Sequence, residues 1–426
     1  MEPAVDFSPS AISNDQEIPP GATSAPLSSG ASLPLLQNPG LSSSQQETRR
    51  ISDDEIALYD RQIRLWGMSA QNRIRNARVL LITLGSLGNE IAKNLVLAGI
   101  GSLTVLDHKL ISESDFGAQF LLSQETSPIG TPRVEAAKAQ IQALNPRVAV
   151  AVDADDVKNK NTAFFKDFDI IIATDLLPPQ LNTLNTYARL HGKCFYAAGV
   201  HGLYGFVFSD LIDHKFTIKR KVGNVTTKTG PETRSRSVVD VQVSREDGVL
   251  VEHVTKLEKY STWYLAWDMP TLSADITRSK RRLRAVSPIL SCLRGLWDFQ
   301  QTHGRSPSIA AAEDFRAVVR AIQHKHNSFG LPPETLRADT IRQFVQNIGC
   351  ELMPVAAVVG GHVAQDVINV LGQNQQSLQN MLVFDGETCE GSVYSLLPEG
   401  ELGGEQLKSS RTDQLGAVAA ELGQLS

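Results

Sequence analysis

The sequence is poor in cysteine, and the positions of its cysteines argue against two classes of site. The four cysteines form no C-x-x-C pair and lie far apart, at Cys194, Cys292, Cys350 and Cys389. This spacing argues against a zinc site and against a disulfide framework. Cys194 begins an apolar stretch, where a buried and inert thiol is expected, so no nucleophilic cysteine is predicted. The N-terminus also lacks the pattern of a secretory signal, so we expect a reducing, intracellular compartment.

Long apolar runs and an excess of positive charge are also absent. No segment has 18 uninterrupted apolar residues, so no membrane span is predicted. Lys and Arg number 41 against 46 Asp and Glu, which gives a formal net charge of −5. Because nucleic acids and anionic membranes are bound through basic surfaces, neither is expected as a partner. The 426-residue length and the 42% hydrophobic composition indicate a globular protein with one large core or two modest ones.

Strand patterns and helix patterns alternate from about residue 78 to residue 200. The stretches "VLLIT", "SLTVL", "FDIIIATD" and "KCFYAAGV" are almost entirely apolar, and amphipathic stretches such as "RVEAAKAQIQAL" lie between them. Continuous apolar strands separated by helices are typical of a parallel sheet that is covered on both faces. The pattern therefore predicts a doubly wound, mostly parallel α/β fold of the Rossmann type.

The composition divides the chain into five segments. Residues 1–50 are rich in Ser, Pro, Gly and Gln and have few large apolar residues, so they cannot bury enough surface to offset the entropy of ordering. Order is expected to begin with a helix over 52–67, which starts with the capping box Ser52–Glu55. The first two predicted segments are a disordered tail at 1–50 and a doubly wound core at 51–210. They are followed by a mainly helical insertion at 211–345, in which the helical pattern is clearest over 286–346. The chain then returns to the core at 346–397 as one helix and two antiparallel strands, and it ends in a loosely ordered tail at 398–426.

The turn after the first strand contains part of a nucleotide-binding pattern. Gly85 and Gly88 match the last two glycines of G-x-G-x-x-G, but Thr83 stands in place of the first. Two such glycines allow a phosphate to approach a helix N-terminus, and Asp107 follows at the distance expected of a ribose-binding acid. The alternative is that the glycines serve only the packing of strand and helix. The pattern by itself does not decide between the two.

Three further features have both a functional and a structural interpretation. Asp175 ends an apolar strand, so it either holds a magnesium ion in the crevice of the sheet or caps the next turn. Lys138 either reaches a phosphate from its helix or is simply solvated. The basic run "RSKRRLR" at 278–284 is either a nuclear localisation signal or the solvated start of a helix.

Four stretches together resemble the ubiquitin-like-protein activating enzymes, a family with the ThiF-like adenylation fold. The resemblance is closest to the smaller subunits, which lack the catalytic cysteine, of the heterodimers that activate SUMO. It covers roughly residues 50–210 and 350–397, and it is weaker through the insertion. The stretches are "YDRQIRLWG" (59–67), "LITLGSLGNEIAKNLVLAGIGSLTVLDH" (81–108), "GAQFL" (117–121) and "PVAAVVGGHVAQDVINVL" (354–371).

The resemblance also shows where this chain departs from the active members of the family. Those members have the full glycine pattern, then D-x-D, then Asn-Arg before Gln-Phe-Leu, and Asp-Asn after a later strand. Here the corresponding positions hold Thr83, Lys109, Gly117–Ala118 and Leu176. The resemblance therefore implies a degenerate nucleotide site that has lost tight ATP binding and holds no metal. Its remnants are Gly85, Gly88, Asp107, Lys138 and Asp175.

The resemblance implies a role for Arg61 in the site of another chain. In this family the arginine of "YDRQ" reaches across the subunit interface to the ATP phosphates of the partner. A guanidinium suits this role because it meets phosphate oxygens with a rigid pair of donors. Arg64 follows one helical turn later and either acts in the same way or pairs with Asp60. For Arg61 the structural alternative is likewise a surface ion pair.

The function implied by the resemblance is that of a regulatory subunit of a SUMO-activating enzyme, inactive alone. Its catalytic partner would bind ATP and Mg, adenylate SUMO, form the cysteine thioester and pass SUMO to the conjugating enzyme. Residence in the nucleus, and also in the cytoplasm, is expected for this family. One alternative is the equivalent subunit for the modifier NEDD8. Another is an NAD-dependent oxidoreductase that uses Gly85, Gly88 and Asp107, for which the sequence shows no acid–base pair.

Overall fold

The computed structural model describes residues 52–268, 270–308 and 310–398. The predicted disorder of residues 1–50 lies outside this range, and so does the predicted loose tail beyond Pro398. The strands are β1 (Arg78–Ile82), β2 (Ser102–Leu106), β3 (Ala149–Asp153), β4 (Ile170–Thr174), β5 (Cys194–His201), β6 (Tyr204–Asp210), β7 (Asp213–Lys221), β8 (Gly230–Pro231), β9 (Arg236–Glu246), β10 (Val249–Lys259), β11 (Pro270–Thr271), β12 (Met381–Asp385), β13 (Glu390–Tyr394) and β14 (Leu397–Pro398).

The helices fill the connections between these strands. They are α1 (Asp53–Leu58), α2 (Asp60–Trp66), α3 (Met68–Asn76), α4 (Ser86–Ala98), α5 (Asp115–Ala118), α6 (Arg133–Leu144), α7 (Thr162–Phe165), α8 (Pro178–Leu190), α9 (Trp263–Trp267), α10 (Ala274–Thr277), α11 (Lys280–Arg284), α12 (Pro288–His303), α13 (Ala312–Ser328), α14 (Ala338–Gln346) and α15 (Met353–Gly372).

The central sheet has eight strands in the order β13-β12-β6-β5-β4-β1-β2-β3. Strands β3, β2, β1, β4 and β5 are parallel, whereas β6, β12 and β13 continue the sheet in antiparallel fashion. Alternate residues of β1 enter separate cores: Val79 and Leu81 on one face, Leu80 and Ile82 on the other. The predicted doubly wound, mostly parallel α/β fold is confirmed.

The first part of the insertion differs from the prediction. Residues 213–259 form β7, β9 and β10 of a second, four-stranded antiparallel sheet. Helices dominate only from Trp263 onwards, which includes the predicted helical stretch at 286–346. An antiparallel sheet with one solvated face has alternating polar residues, as in the β9 sequence "RSVVDVQVSRE". The polar character of this stretch therefore reflects a half-exposed sheet.

Helix α15 spans Met353–Gly372, with Pro354 in its first turn, as predicted. By length and composition alone it could cross a membrane, but 56% of its most apolar 18-residue window is buried. Buried Asp366 accepts hydrogen bonds from the Tyr196 hydroxyl at 2.7 Å and from the Leu378 N–H at 2.7 Å, which ties the helix to β5. Helix α15 is therefore a core helix that covers the sheet beside α4.

The predicted helix over 52–67 is divided into α1 and α2 at Tyr59. The Tyr59 side chain is buried, and its hydroxyl accepts a hydrogen bond from Asn145 Nδ2 at 2.8 Å. A Cβ on Gly99 would lie 2.5 Å from the Tyr59 ring, so only glycine fits there. Gly67 ends α2 with φ of +86°. Tyr59 thus fixes α2 to the β1–α4 unit.

Candidate functional site

The turn between β1 and α4 lies at the carboxyl edge of the sheet, between β4 on one side and β2 on the other. Doubly wound sheets bind ligands at this switch point. Thr83 has φ of +74° there, a backbone conformation that favours glycine. Its N–H donates to Leu106 O at 2.9 Å, and its carbonyl accepts from Thr174 Oγ1 at 2.9 Å. The glycine-type turn is therefore retained although its first glycine is gone.

The two remaining glycines of the pattern differ in what a side chain would meet there. A Cβ on Gly88 would lie 2.5 Å from the Thr83 carbonyl oxygen. A Cβ on Gly85 would lie 2.6 Å from Glu351 Oε1. The structure supports the packing alternative for Gly88, whereas the space above Gly85 is occupied by the side chain of Glu351.

Glu351 is a site residue that the sequence reasoning missed. Its Oε2 accepts a hydrogen bond from the backbone N–H of Ser86, the first residue of α4, at 3.1 Å. A helix N-terminus attracts anions through its unpaired N–H groups and its dipole, which is how Rossmann folds hold phosphate. Here a carboxylate from the same chain lies at that position. The two residues are 265 positions apart, so no local pattern could connect them.

Asp107 is present at the end of β2, but its carboxylate is fully engaged. Oδ2 accepts from the Leu84 N–H at 2.9 Å and from Arg133 Nε at 3.0 Å, and Oδ1 accepts from the Lys109 N–H at 3.0 Å. Arg133 also donates to Asp115 at 3.0 Å. Asp107 and Arg133 are both buried. The acid expected to bind a ribose is thus part of an internal ion pair.

The Asp175 carboxylate bonds to the neighbouring strand β5 and not to the turn that follows it, so the predicted turn cap is wrong. Asp175 follows β4 with φ of +53°, and its Oδ1 accepts from the Val200 N–H at 3.2 Å. Part of the Asp175 side chain is exposed to solvent, although protein atoms surround its carboxylate. Desolvation by the surrounding protein, with the nearby Glu351 carboxylate, raises the pKa of Asp175 to about 7. Lys138 is exposed on α6 and, among the residues that the structure describes, makes no hydrogen bond or ion pair.

These side chains do not fit an ATP·Mg ligand in this chain's own crevice. The carboxylate of Glu351 holds the phosphate position, and Asp175 adds a second acidic group beside it. A triphosphate would bring more negative charge to the same place. We therefore derive no chemical step through this crevice.

Arg61 lies outside this crevice, on α2, with its side chain exposed. Within the described part of the chain its guanidinium has no ion-pair or hydrogen-bond partner. The backbone around it is held in place, since Tyr59 is buried and Gln62 Nε2 donates to Leu97 O at 3.4 Å. Arg64 differs, because its Nε donates to Asp60 at 3.0–3.1 Å in the predicted i,i+4 pair. Helix α2 thus presents to solvent one guanidinium, that of Arg61, which has no partner among the described residues.

The four cysteines differ in their exposure, and the basic run lies on the surface. Burial raises the pKa of the Cys194 thiol to about 12, in agreement with the predicted inert thiol, and Cys292 is fully buried. Cys350 and Cys389 are exposed. The basic run at 278–284 is exposed, partly as α11, and pairs with Asp275 and Glu334. Whether it directs the chain to the nucleus stays a prediction.

The comparison with known proteins identifies the family of this chain. The model of the ThiF family matches residues 59–399, and the chain belongs to that family.

Relatives are similar over nearly their whole length. The DNA damage tolerance protein RHC31 of Saccharomyces cerevisiae is 36% identical over 351 residues, which is 82% of this chain and 99% of that protein. The SUMO-activating enzyme subunit 1 of Homo sapiens is 35% identical over 353 residues, 82% of this chain and 97% of that protein. The SUMO-activating enzyme subunit 1 of Rattus norvegicus is 33% identical over 350 residues, which is 82% of this chain and 96% of that protein. A solved structure of E. coli MccB with succinimide is similar with a TM-score of 0.43 at 13% identity, covering 81% of this chain and 73% of that one.

Proposed function

We propose that this chain is the regulatory subunit of a SUMO-activating enzyme and is inactive alone. The proposal is supported by membership of the ThiF family and by several relatives named SUMO-activating enzyme subunit 1. This chain covers 97% of the human relative. These relatives favour SUMO over NEDD8 as the modifier and give no support to a nicotinamide-dependent oxidoreductase. The engaged Asp107 also argues against a dinucleotide ligand.

The reaction of such an enzyme explains why a second chain is useful. In the catalytic partner, a carboxylate oxygen of the SUMO C-terminus attacks the α-phosphorus of ATP. The bond to the β-phosphate breaks, and pyrophosphate leaves. A cysteine thiolate of the partner then attacks the acyl carbon, forms the thioester and releases AMP. Because two anions must meet in the first step, cations at the phosphates stabilise its transition state.

Arg61 is the residue that we assign to this task, in trans, at the phosphates of ATP bound by the partner. The observation that carries the assignment is an exposed guanidinium with no partner in the described structure, on a helix whose backbone is anchored by Tyr59. A planar guanidinium donates two parallel hydrogen bonds to phosphate oxygens, which an ammonium cannot do. Arg64 is a weaker candidate because it already pairs with Asp60.

The surface around Arg61 has the composition of a docking site for the catalytic subunit. Leu58, Leu65 and Leu97 are 59%, 73% and 47% exposed, and the contact between Gln62 and Leu97 brings α2 next to α4. Apolar side chains that a single chain leaves exposed together are typical of protein–protein interfaces. Through this complex the chain would also meet SUMO and the conjugating enzyme.

The test replaces Arg61 by Ala in the assembled heterodimer. We expect formation of SUMO-adenylate to fall by about 100-fold or more, because a transition-state cation is lost. Arg61→Lys should recover only part of the rate, since it keeps the charge and loses the paired donors. Single-turnover adenylation by a rapid-quench assay measures the rate, and size-exclusion chromatography measures dimer formation.

The matched control is Arg316→Ala, which removes an exposed guanidinium from α13. Both its adenylation rate and its dimerisation should equal those of the wild type. Unchanged adenylation with Arg61→Ala in an intact dimer would refute the role in trans.

A further inference from the structure

The N-terminus of α4 has the features of an anion site, and a carboxylate fills it. Helix α4 has 13 residues, with Gly85 immediately before its first turn. Ser86 N–H donates to Glu351 Oε2 at 3.1 Å. The Ser86 hydroxyl is buried at 2% exposure and has no hydrogen-bond partner in the described structure. The first helical residue thus binds a carboxylate through its N–H and has, within the described residues, a buried hydroxyl that is left without a partner.

The fit between Glu351 and the turn is close. The ideal Cβ position on Gly85 is 2.6 Å from Glu351 Oε1 and 3.7 Å from Asp175 Oδ2, so the carboxylate rests directly on the glycine backbone. In a Rossmann turn this absence of a side chain lets a phosphate approach. The same space is used here by a side chain of this chain.

The segment that carries Glu351 is itself fixed. The carbonyl of Cys350 accepts from the Gly202 N–H at 2.8 Å, and α15 begins two residues after Glu351. Along α15, a Cβ on Gly360 would lie 2.8 Å from Cβ of Glu90 in α4, so the two helices are in close contact. The backbone on both sides of Glu351 is thus held by contacts with the β5–β6 turn and with α4.

We propose that Glu351 is a built-in anion that replaces a nucleotide phosphate at the N-terminus of α4 and thereby closes this chain's own nucleotide site. The inference deepens the proposed function, in which this chain holds no ATP, and it does not depend on Arg61. The turn keeps the geometry of a phosphate-binding turn, and the anion in it is the carboxylate of Glu351. Removal of the carboxylate therefore opens a site for a free polyanion.

The experiment measures the melting temperature of the full chain with and without millimolar inorganic pyrophosphate. Glu351→Ala should lower the melting temperature by about 2 °C, because an anion at a helix N-terminus is lost. Pyrophosphate should raise the melting temperature of this variant back to that of the wild type, because a ligand stabilises the state that binds it. It should leave the melting temperature of the wild type unchanged. If Glu351→Ala does not fold, Glu351→Gln, which removes only the charge, is measured under the same criteria.

The control is Glu135→Ala, which removes an exposed glutamate from the first turn of α6. Pyrophosphate should have no effect on it, since no enclosed turn lies there. The proposal is overturned if Glu351→Ala melts like the wild type, or if pyrophosphate fails to restore its stability. Equal shifts in all three proteins would also overturn it. Because the assay contains neither SUMO nor a partner, its result is independent of the role of Arg61.

Discussion

The sequence identifies the residues in and around the β1–α4 turn. The side chains that contact them come from elsewhere in the chain. Asp107 is held by Arg133, and the position above Gly85 is held by Glu351. A pattern such as G-x-G-x-x-G predicts the turn because it is local. It cannot predict an ion pair across 26 residues or a contact across 265, since both depend on how the elements pack.

At the residue scale, the raised pKa of Asp175 predicts that the stability of the fold depends on pH. Its pKa in the folded chain is about 7, against an ordinary value of 3.8. The folded state therefore binds this proton more tightly than the unfolded state does. The stabilisation is complete below pH 3.8 and is lost as the pH rises through about 7.

Asp175→Asn should consequently be more stable than the wild type at pH 8, with the difference shrinking towards pH 5. The asparagine keeps an oxygen that can accept the hydrogen bond from Val200 N–H, which Asp175 accepts at 3.2 Å. Urea unfolding at several pH values measures the free energy of each protein. A constant difference between the two proteins across this range would contradict the raised pKa.

Among the elements, those with a continuous apolar core pattern were predicted well. Strands β1, β2, β4 and β5, and helices α4, α6 and α15, lie where their patterns indicated. The half-exposed strands β7, β9 and β10 were not predicted. Their solvated face is polar, and a polar sequence is hard to distinguish from a loop when the strands that pair with it are unknown. The break between α1 and α2 was also missed, since it results from the packing of Tyr59 against Gly99.

The contact between α15 and α4 can be tested with two neighbouring glycines. A Cβ on Gly360 would lie 2.8 Å from Cβ of Glu90, whereas one on Gly361 would meet no atom within 4 Å. Gly360→Ala should therefore lower the free energy of unfolding by about 1–3 kcal/mol through overpacking. Gly361→Ala should instead raise it by up to about 1 kcal/mol, because alanine favours a helix. Chemical denaturation measures both, and equal effects of the two changes would contradict the packing described.

For the whole molecule, the proposed function divides labour between two chains of an activating enzyme. The family and the relatives support such an enzyme, and the fold of this chain keeps the turn at which a nucleotide would bind. Internal acidic groups fill that turn, whereas Arg61 on the anchored helix α2 has no partner within the described residues and is available to the site of a second chain. The sequence indicated this division only through the family resemblance, since no local pattern distinguishes an arginine used in trans from a solvated one.

The most direct test of this division is SUMO-dependent exchange of pyrophosphate into ATP, measured for this chain alone, for its catalytic partner alone and for the two combined. We expect no exchange by this chain alone, weak exchange by the partner alone and full exchange only by the pair. Both chains are required in the proposed function because the partner would provide the nucleotide site and this chain would provide Arg61. Exchange by this chain in the absence of its partner would contradict the division of labour.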